Sequence, residues 1–266
     1  MNIEPLRVLQ LSDMHILAEA KATLYGVDSF AAFKSLLTIM QSDSWKPHVA
    51  IATGDLSQDG SAESYRRLRR LLTPLEFPVY CVPGNHDDVP TMDAHLKGGS
   101  IFVERFVRLE SWHIVFLNSQ VPGEEHGALS DNELAALEET LRLAPSCPTL
   151  VALHHGPLSP CPMPQCQLQN ADALLAILSR QSQVSGVISG HIHCEVDKHH
   201  RGVRMMVTPS TFLHADHPSG TEVREWSKLE EPHAFDPGRR GVRRLELYPD
   251  GQIDTRVIWS NEGQFE

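Results

Sequence analysis

The sequence predicts an α/β fold with several antiparallel strands late in the chain. Short apolar runs alternate with segments whose apolar residues recur at helical spacing. The last part switches to two hairpin patterns, and polar residues gather where the apolar runs stop. A chain of 266 residues can bury a full core, and no internal repeat, low-complexity tract or linker divides it. One domain over 1–266 is expected, with a core of about 6–210 and a C-terminal loop and hairpin of about 211–260.

The first strand is LRVLQLSD, Leu6 to Asp13. DSFAAFKSLLTIMQS then carries apolar residues at helical spacing behind Asp28, a residue suited to cap it. HVAIATGD, His48 to Asp55, is the second strand, and a helix over about Ser61 to Leu72 follows. FPVYCVPGNHD, starting at Phe77, is the third strand, and HIVFLNSQ, starting at His113, the fourth. Ser130 and Glu133 form a capping box ahead of a helix to Ala144. TLVALHHG from Thr149, a helix near Ala171 to Arg180, and VSGVISGHIH from Val184 continue the alternation. EVDKHHRGVRMMV turns at Arg201–Gly202, and VRRLELYPDGQIDTRVIW turns at Pro249–Gly251. Between these hairpins, Ser210 to Gly238 is long, polar and irregular, as a surface loop would be.

Composition excludes several classes. A net charge of −11 argues against a nucleic-acid polymer as partner, and the one basic cluster, Arg66 to Arg70, reads as a solvated helix face. No run approaches the ~18 apolar residues of a membrane span, and MNIEPLRVLQ has no secretory pattern. Five scattered cysteines suit reduced thiols in a cytoplasm. Cys161 and Cys166 in CPMPQC lack the second pair of a zinc ribbon and read as ordinary thiols in a Pro-rich loop.

The informative pattern is at the strand ends, which line the ligand crevice of an open α/β sheet. They carry Asp13 and His15, Asp55, Asn85 with His86 and Asp87, His154 with His155, and His191 with His193. Any one of these arises easily by accident. GNHD does not: at average residue usage its chance rate is on the order of one in several hundred such chains. Gathering carboxylates and histidines without compensation is costly, and a cation removes that cost. Imidazole, carboxylate and amide donors without thiolate suit Mn, Fe, Zn or Co. The donors exceed one tetrahedral site and fit two ions sharing a carboxylate at ~3.5–4 Å. Side-chain alternation along an extended chain is expected to let Asp13 and His15, and His191 and His193, do different jobs.

Taken together, DMH, GD, GNHD, HHGP and GHIH resemble the five-block signature of the calcineurin-like metallophosphoesterases. Within them the chain is most similar to the bacterial class III cyclic-AMP phosphodiesterases, through LQLSDMH, ATGDLSQDGS, VPGNHD, SQVPGEEHGALS, TPST and RRLELYPDG. The resemblance runs from about Leu6 to Trp259. It implies a four-layer αββα sandwich with a dinuclear metal site at the strand ends. It assigns Asp13, His15, Asp55 and His193 to one metal, and Asp55, Asn85, His154 and His191 to the other. His155 is the alternative to His154, because the fourth block reads HHGP instead of the usual H-x-P or HHPP. His86 is implied as the non-ligand catalytic residue, and His15, Asp55, Asn85, His86 and His193 as the substrate-binding set. Asp87 either orients His86 or caps the next segment.

The implied reaction is hydrolysis of 3′,5′-cyclic AMP to 5′-AMP by a two-metal-activated hydroxide, with His86 as general acid. Two divalent or mixed-valence transition metals are implied, Fe or Mn first, with Zn or Co also suited. The alternatives are a glycerophosphodiesterase, a hydrolase of 2′,3′-cyclic or nucleoside-diphosphate-linked substrates, and a non-catalytic module of the same fold. His126, His214 and His217 are candidates to contact the base, and the late hairpins can support a homodimer.

Overall fold

Strands that are apolar on both faces need cover on both faces, and two sheets packed between helices provide it. The computed structural model describes residues 4–161, 163–215 and 235–261. The strands in chain order are β1 (Leu6–Leu11), β2 (Val49–Thr53), β3 (Val79–Val82), β4 (Ile101–Phe102), β5 (Phe106–Leu109), β6 (Trp112–Phe116) and β7 (Thr149–Ala152). They continue with β8 (Val184–Ser189), β9 (Val196–His200), β10 (Val203–Val207), β11 (His214–Ala215), β12 (Phe235–Asp236), β13 (Arg239–Leu247) and β14 (Ile253–Asn261). The helices are α1 (Ser29–Ser42), α2 (Ala62–Leu72), α3 (Val89–His95), α4 (Asp131–Leu143) and α5 (Ala171–Leu178).

The first six-stranded sheet has the order β14-β13-β1-β2-β3-β4, and the second β5-β6-β7-β8-β10-β9. β1 to β4 run parallel and β13 joins β1 antiparallel. In the second sheet β6, β7, β8 and β10 run parallel between the antiparallel edges β5 and β9.

Period-two alternation sorts the side chains into layers. Leu6 and Val8, Val49 and Ile51, and Tyr80 and Val82 face inward, meeting Trp112, Ile114, Phe116, Leu150 and Ile188 of the second sheet. Leu9, Leu11, Ala50, Ala52 and Cys81 face outward against α1, α2 and α3. Val115, Val151 and Val187 face outward against α4 and α5. This is the αββα sandwich.

A 14-residue helix such as α1 is marginal alone. Burial of Phe33, Leu36, Leu37 and Met40, at about 1.5–3 kcal/mol each, holds it on the sheet. Asp28 caps it by accepting from Ala31 N at 3.0 Å. Ser61 caps α2 the same way, and Ser130 caps α4. The expected capping box is only half made. The Glu133 carboxylate accepts from Asn118 N at 3.2 Å and Arg105 Nη2 at 2.7 Å.

Several expectations are corrected. α3 and the short strands β4 and β5 follow Asn85 without any strong periodic signal, and Asp88 caps α3. Arg67 is buried, donating to the carbonyls of Leu17 (2.6 Å) and Glu19 (2.5 Å), while Arg66 and Arg70 pair with Glu63 on the solvent side. Cys161 and Cys166 are disulfide-bonded, with Cα atoms 5.9 Å apart, because a 3-10 turn over Pro164–Cys166 folds the loop back. Cys81, Cys147 and Cys194 are the free thiols. The segment after Ser210 is no surface loop at its start. Thr211 to Ala215 are buried, and Thr211 N and Ala215 N donate to Ser12 O and His193 O. Among the described residues no helix is long and apolar enough to cross a membrane.

Buried arginines let polar β13 lie beside β1. Arg243, 1% exposed, donates to Val207 O (2.9 Å) and Val196 O (3.2 Å). Arg244 donates to Asp43 Oδ2 at 2.6 Å and lies over the Trp45 ring. Asp43→Ala strands that guanidinium and should lower unfolding free energy by about 1–3 kcal/mol in a urea titration. Glu63→Ala, which breaks exposed pairs, should stay within about 0.5 kcal/mol. Equal effects would mean Arg244 is effectively solvated.

Candidate metal centre

The exits of β1 and β2 continue side by side past the sheet: Asp13 N donates to Gly54 O, His15 N to Asp55 O and Ile16 N to Leu56 O, at 2.9–3.1 Å. The exits of β3, β7 and β8 close around them. Each carboxylate accepts a backbone N–H from another exit, His86 N to Asp55 Oδ1 at 2.9 Å and His191 N to Asp13 at 3.1 Å. The approach is tight enough to require glycine. A Cβ on Gly84 would lie 2.2 Å from Asp55 Oδ1, and one on Gly190 1.8 Å from Ser12 Oγ.

All eight residues assigned by resemblance come together here. Ligand-type atoms of Asp13, His15 and His193 lie within 4.8 Å of one another, as do those of Asp13, Asp55 and His154 and those of His15, Asp55 and His86. Asn85 Oδ1 stands 3.1 Å from His154 Nε2, which is 3.3 Å from Asp55 Oδ2. Their chain path differs from the expected one. Asp13, His15, Asp55, His191 and His193 all have positive φ, so the i, i+2 pairs sit in left-handed turns; an extended strand puts i and i+2 on one face, so alternation could not have separated their jobs. Both Asp13 and His15 therefore reach His193, at 3.4 and 3.1 Å. A non-glycine residue held there costs about 1–3 kcal/mol, strain that concentrates at functional sites.

Neighbouring oxygens fix the imidazoles. His154 Nδ1–H donates to Thr53 O at 2.8 Å, His15 Nδ1–H to Gln58 Oε1 at 2.7 Å, and His191 Nε2–H to Gln165 O at 2.9 Å. Each ring is left with one nitrogen for the cluster, the tautomer control that metal sites use. His155 is different. Its Nε2–H donates to Glu125 O at 3.1 Å and its Nδ1 accepts from Ser119 Oγ at 2.9 Å, so both nitrogens are engaged. His86 Nδ1–H donates to Gln58 O at 3.2 Å.

The electrostatics call for positive charge. Burial opposes ionisation of Asp13 and Asp55, yet the imidazoles of His193 and His154 hold both carboxyls below their ordinary range. Burial likewise opposes a proton on His154, but the Asp55 charge and hydrogen bond lift it to about 9. Burial pushes His15 and His191 down to about 4, so both are neutral, as ligands must be. Buried anions facing neutral imidazole and amide donors, with a proton forced onto His154, fit divalent cations held by oxygen and nitrogen.

Sequence reasoning missed the supporting residues. Gln58 lies in the polar run just after Asp55, which was its one signal. Ser119, Gln165 and Tyr65 gave none. Asp87 neither orients His86 nor caps a helix. Its buried carboxylate accepts from Gly84 N (2.8 Å), Ser57 N (3.0 Å), Leu56 N (3.1 Å) and Tyr65 Oη (3.0 Å). The cleft above the cluster, a cavity of about 230 Å³, is walled by Glu125 rather than His126, and by Ala215 rather than His214. His126 faces Glu124, and His214 packs edge-on to Trp259. His217 lies outside the described residues.

Comparison with known proteins agrees with this geometry. The calcineurin-like phosphoesterase family model matches residues 6–195. The 3′,5′-cyclic adenosine monophosphate phosphodiesterase CpdA of Vibrio vulnificus is 34% identical over 263 residues, covering 98% of this chain and 92% of the relative. CpdA of Escherichia coli K12 is 34% identical over 258 residues, covering 94% and 88%. Among solved structures, a dimetal phosphatase from Danio rerio superposes with a TM-score of 0.63 at 13% identity, over 97% of this chain and 99% of that one, a likeness of fold.

Asp87→Ala should lower unfolding free energy by more than about 2 kcal/mol, since it orphans several buried donors, and should lower the metal content of the purified protein. Tyr65→Phe removes one donor and should cost about 1 kcal/mol with metal content kept. A stable Asp87→Ala variant with normal metal content would show that the loops hold each other without the carboxylate.

Proposed function

The chain belongs to the calcineurin-like phosphoesterase family, and from that premise we propose that it hydrolyses 3′,5′-cyclic AMP to 5′-AMP. The observation that carries this is identity to curated cyclic-AMP phosphodiesterases over nearly the whole chain, with the donor set clustered beneath one cleft. That clustering argues against a non-catalytic module.

The family and the Asp/His cluster imply divalent metal ions. Asp13, His15, Asp55 and His193 would hold one, and Asp55, Asn85, His154 and His191 the other. Asp55 Oδ2 lies 3.7 Å from His15 Nε2 and 3.3 Å from His154 Nε2, one from each set, which supports a shared carboxylate, and the full engagement of His155 supports His154 as the ligand. When bound, such ions polarise the phosphoryl oxygens and lower the pKa of a water towards ~7. Fe and Mn suit the mixed donors first, and Zn and Co also suit them.

The protein's own groups do the rest. With Oδ1 facing His154, Asn85 keeps its amide N–H for a phosphoryl oxygen, where charge develops in the transition state. The Nδ1 bond to Gln58 O leaves His86 Nε2 facing substrate. As the P–O3′ bond breaks, Nε2–H gives its proton to the departing ribose oxygen. Water adds its hydroxyl to phosphorus and releases its other proton, solvent returns a proton to His86, and 5′-AMP results. A cytoplasmic setting fits the three free thiols, and the Cys161–Cys166 disulfide counts against it. A homodimer fits β14, which is the edge strand of the first sheet among the described residues.

Protein loaded with Mn or Fe should turn over cyclic AMP faster than 2′,3′-cyclic AMP, glycerophosphodiesters or nucleotide sugars, and chelation should abolish turnover. Preference for one of the others would replace the substrate. Asp55→Ala should empty both sites in metal analysis; full metal content would refute the shared carboxylate.

His86→Ala should retain metal and lose about 10²–10⁴-fold in kcat on cyclic AMP. It should lose far less on a nitrophenyl ester, whose leaving group needs no proton. Equal losses on both substrates would sink the general-acid role.

A further inference from the structure

A cavity of about 230 Å³ is smaller than the roughly 300–1,000 Å³ that encloses a drug-sized ligand. A nucleotide whose phosphate sits at the Asp/His cluster extends its base along the walls of this open cleft. One wall is aromatic. Tyr25 and Phe235 both wall the cleft, their ring centroids 4.8 Å apart and the rings inclined at 39°. Phe235 also stands 6.4 Å from the His193 ring, so the aromatic pair adjoins the metal centre.

Tyr25 is displayed against its own preferences. Leu24 and Val27 exchange both backbone hydrogen bonds at 3.0 Å around a two-residue turn. Both central residues, Tyr25 (φ 51°) and Gly26 (φ 78°), are left-handed, the pattern of a type I′ turn that favours Asn-Gly. A bulky residue at positive φ is an outlier. The ring is also 62% exposed, so burial in the core does not explain it. Strain and exposure together are what a ligand-facing aromatic shows.

We propose that Tyr25 and Phe235 form the base-binding wall of the cleft, on which the purine ring stacks while the phosphate lies at the Asp/His cluster. This rests on the cyclic-nucleotide activity proposed above. Stacking tolerates any base, so the wall anchors adenine and guanine alike. Neither residue lies in a strand-end motif, and neither was a candidate from sequence.

The experiment compares wild type, Tyr25→Asn, Tyr25→Phe and Phe235→Ala on cyclic AMP, cyclic GMP and an abasic ribose 3′,5′-cyclic phosphate. It is paired with calorimetric binding of AMP to each metal-loaded protein. Tyr25→Asn and Phe235→Ala should raise KM for both nucleotides by about 5- to 150-fold, with a smaller effect on kcat and little change on the abasic substrate. Tyr25→Phe should stay near wild type. Tyr25→Asn should also melt about 2–4 °C higher, because asparagine tolerates the left-handed turn. Equal losses on the abasic substrate, or unchanged KM and AMP affinity, overturn the wall while leaving the activity intact. A wild type inactive on cyclic nucleotides, whose AMP binding still weakens in Tyr25→Asn, overturns the activity and upholds the wall.

Discussion

The Asp87 carboxylate holds three parts of the site at once. It accepts from the β2 exit through Leu56 N and Ser57 N, from the β3 exit through Gly84 N, and from α2 through the Tyr65 hydroxyl. Burial and the nearby Asp55 charge raise it to about 6 despite these donors, so its position is electrostatically expensive and is kept by geometry. Released, the β2 exit would lose the path that carries Asp55, and the β3 exit the one that carries Asn85 and His86. Gln120 adds a second tie, its Nε2 donating to Gly84 O at 2.9 Å and to Asp87 O. The residues proposed to meet substrate are thus placed by a network anchored on the buried Asp87 carboxylate.

Backbone carbonyls supply the next level of control. Thr53 O and Gln165 O each take an imidazole proton, and both atoms belong to segments whose position is fixed by the sheets and loops. A histidine bonded in this way has one remaining nitrogen and one orientation. Of two adjacent histidines on one exit, His154 keeps a nitrogen for the cluster and His155 spends both on Ser119 and Glu125. Their difference is therefore one of surroundings, not of residue type.

That difference explains what the sequence could and could not reveal. Apolar runs such as VAIAT and TLVA announce strands buried on both faces, and Asp28, Ser61 and Ser130 announce helix starts through local bonds. Polar residues just beyond those runs announce the site, because a strand's end is where the chain leaves the core. The functions of Asp87, His155 and Glu133 depend mostly on partners that folding brings from elsewhere in the chain, so local pattern misassigned or left open each of them. Arg243 and Arg244 carry no sequence signal of burial, yet lie buried because carbonyls of the second sheet and Asp43 accept their hydrogen bonds. Helix α3 is short and held by its Asp88 cap and by Met92 and Leu96 in the core, contacts without a periodic signature.

Backbone strain joins these levels. Of the nine non-glycine residues with positive φ among those described, five belong to the Asp/His cluster and a sixth is Tyr25 at the same cleft. An extended exit would send i and i+2 to the same side of the chain with their side chains parallel. Left-handed residues at Asp13 and His15, and at His191 and His193, break that run into tight turns that converge on one point. At about 1–3 kcal/mol per residue, the strain is comparable with the net stability of an ordinary domain. It persists because the sheets, the buried carboxylates and the glycine contacts over-determine the path. A cation binding there would meet donors already gathered, with the conformational cost of gathering them borne during folding.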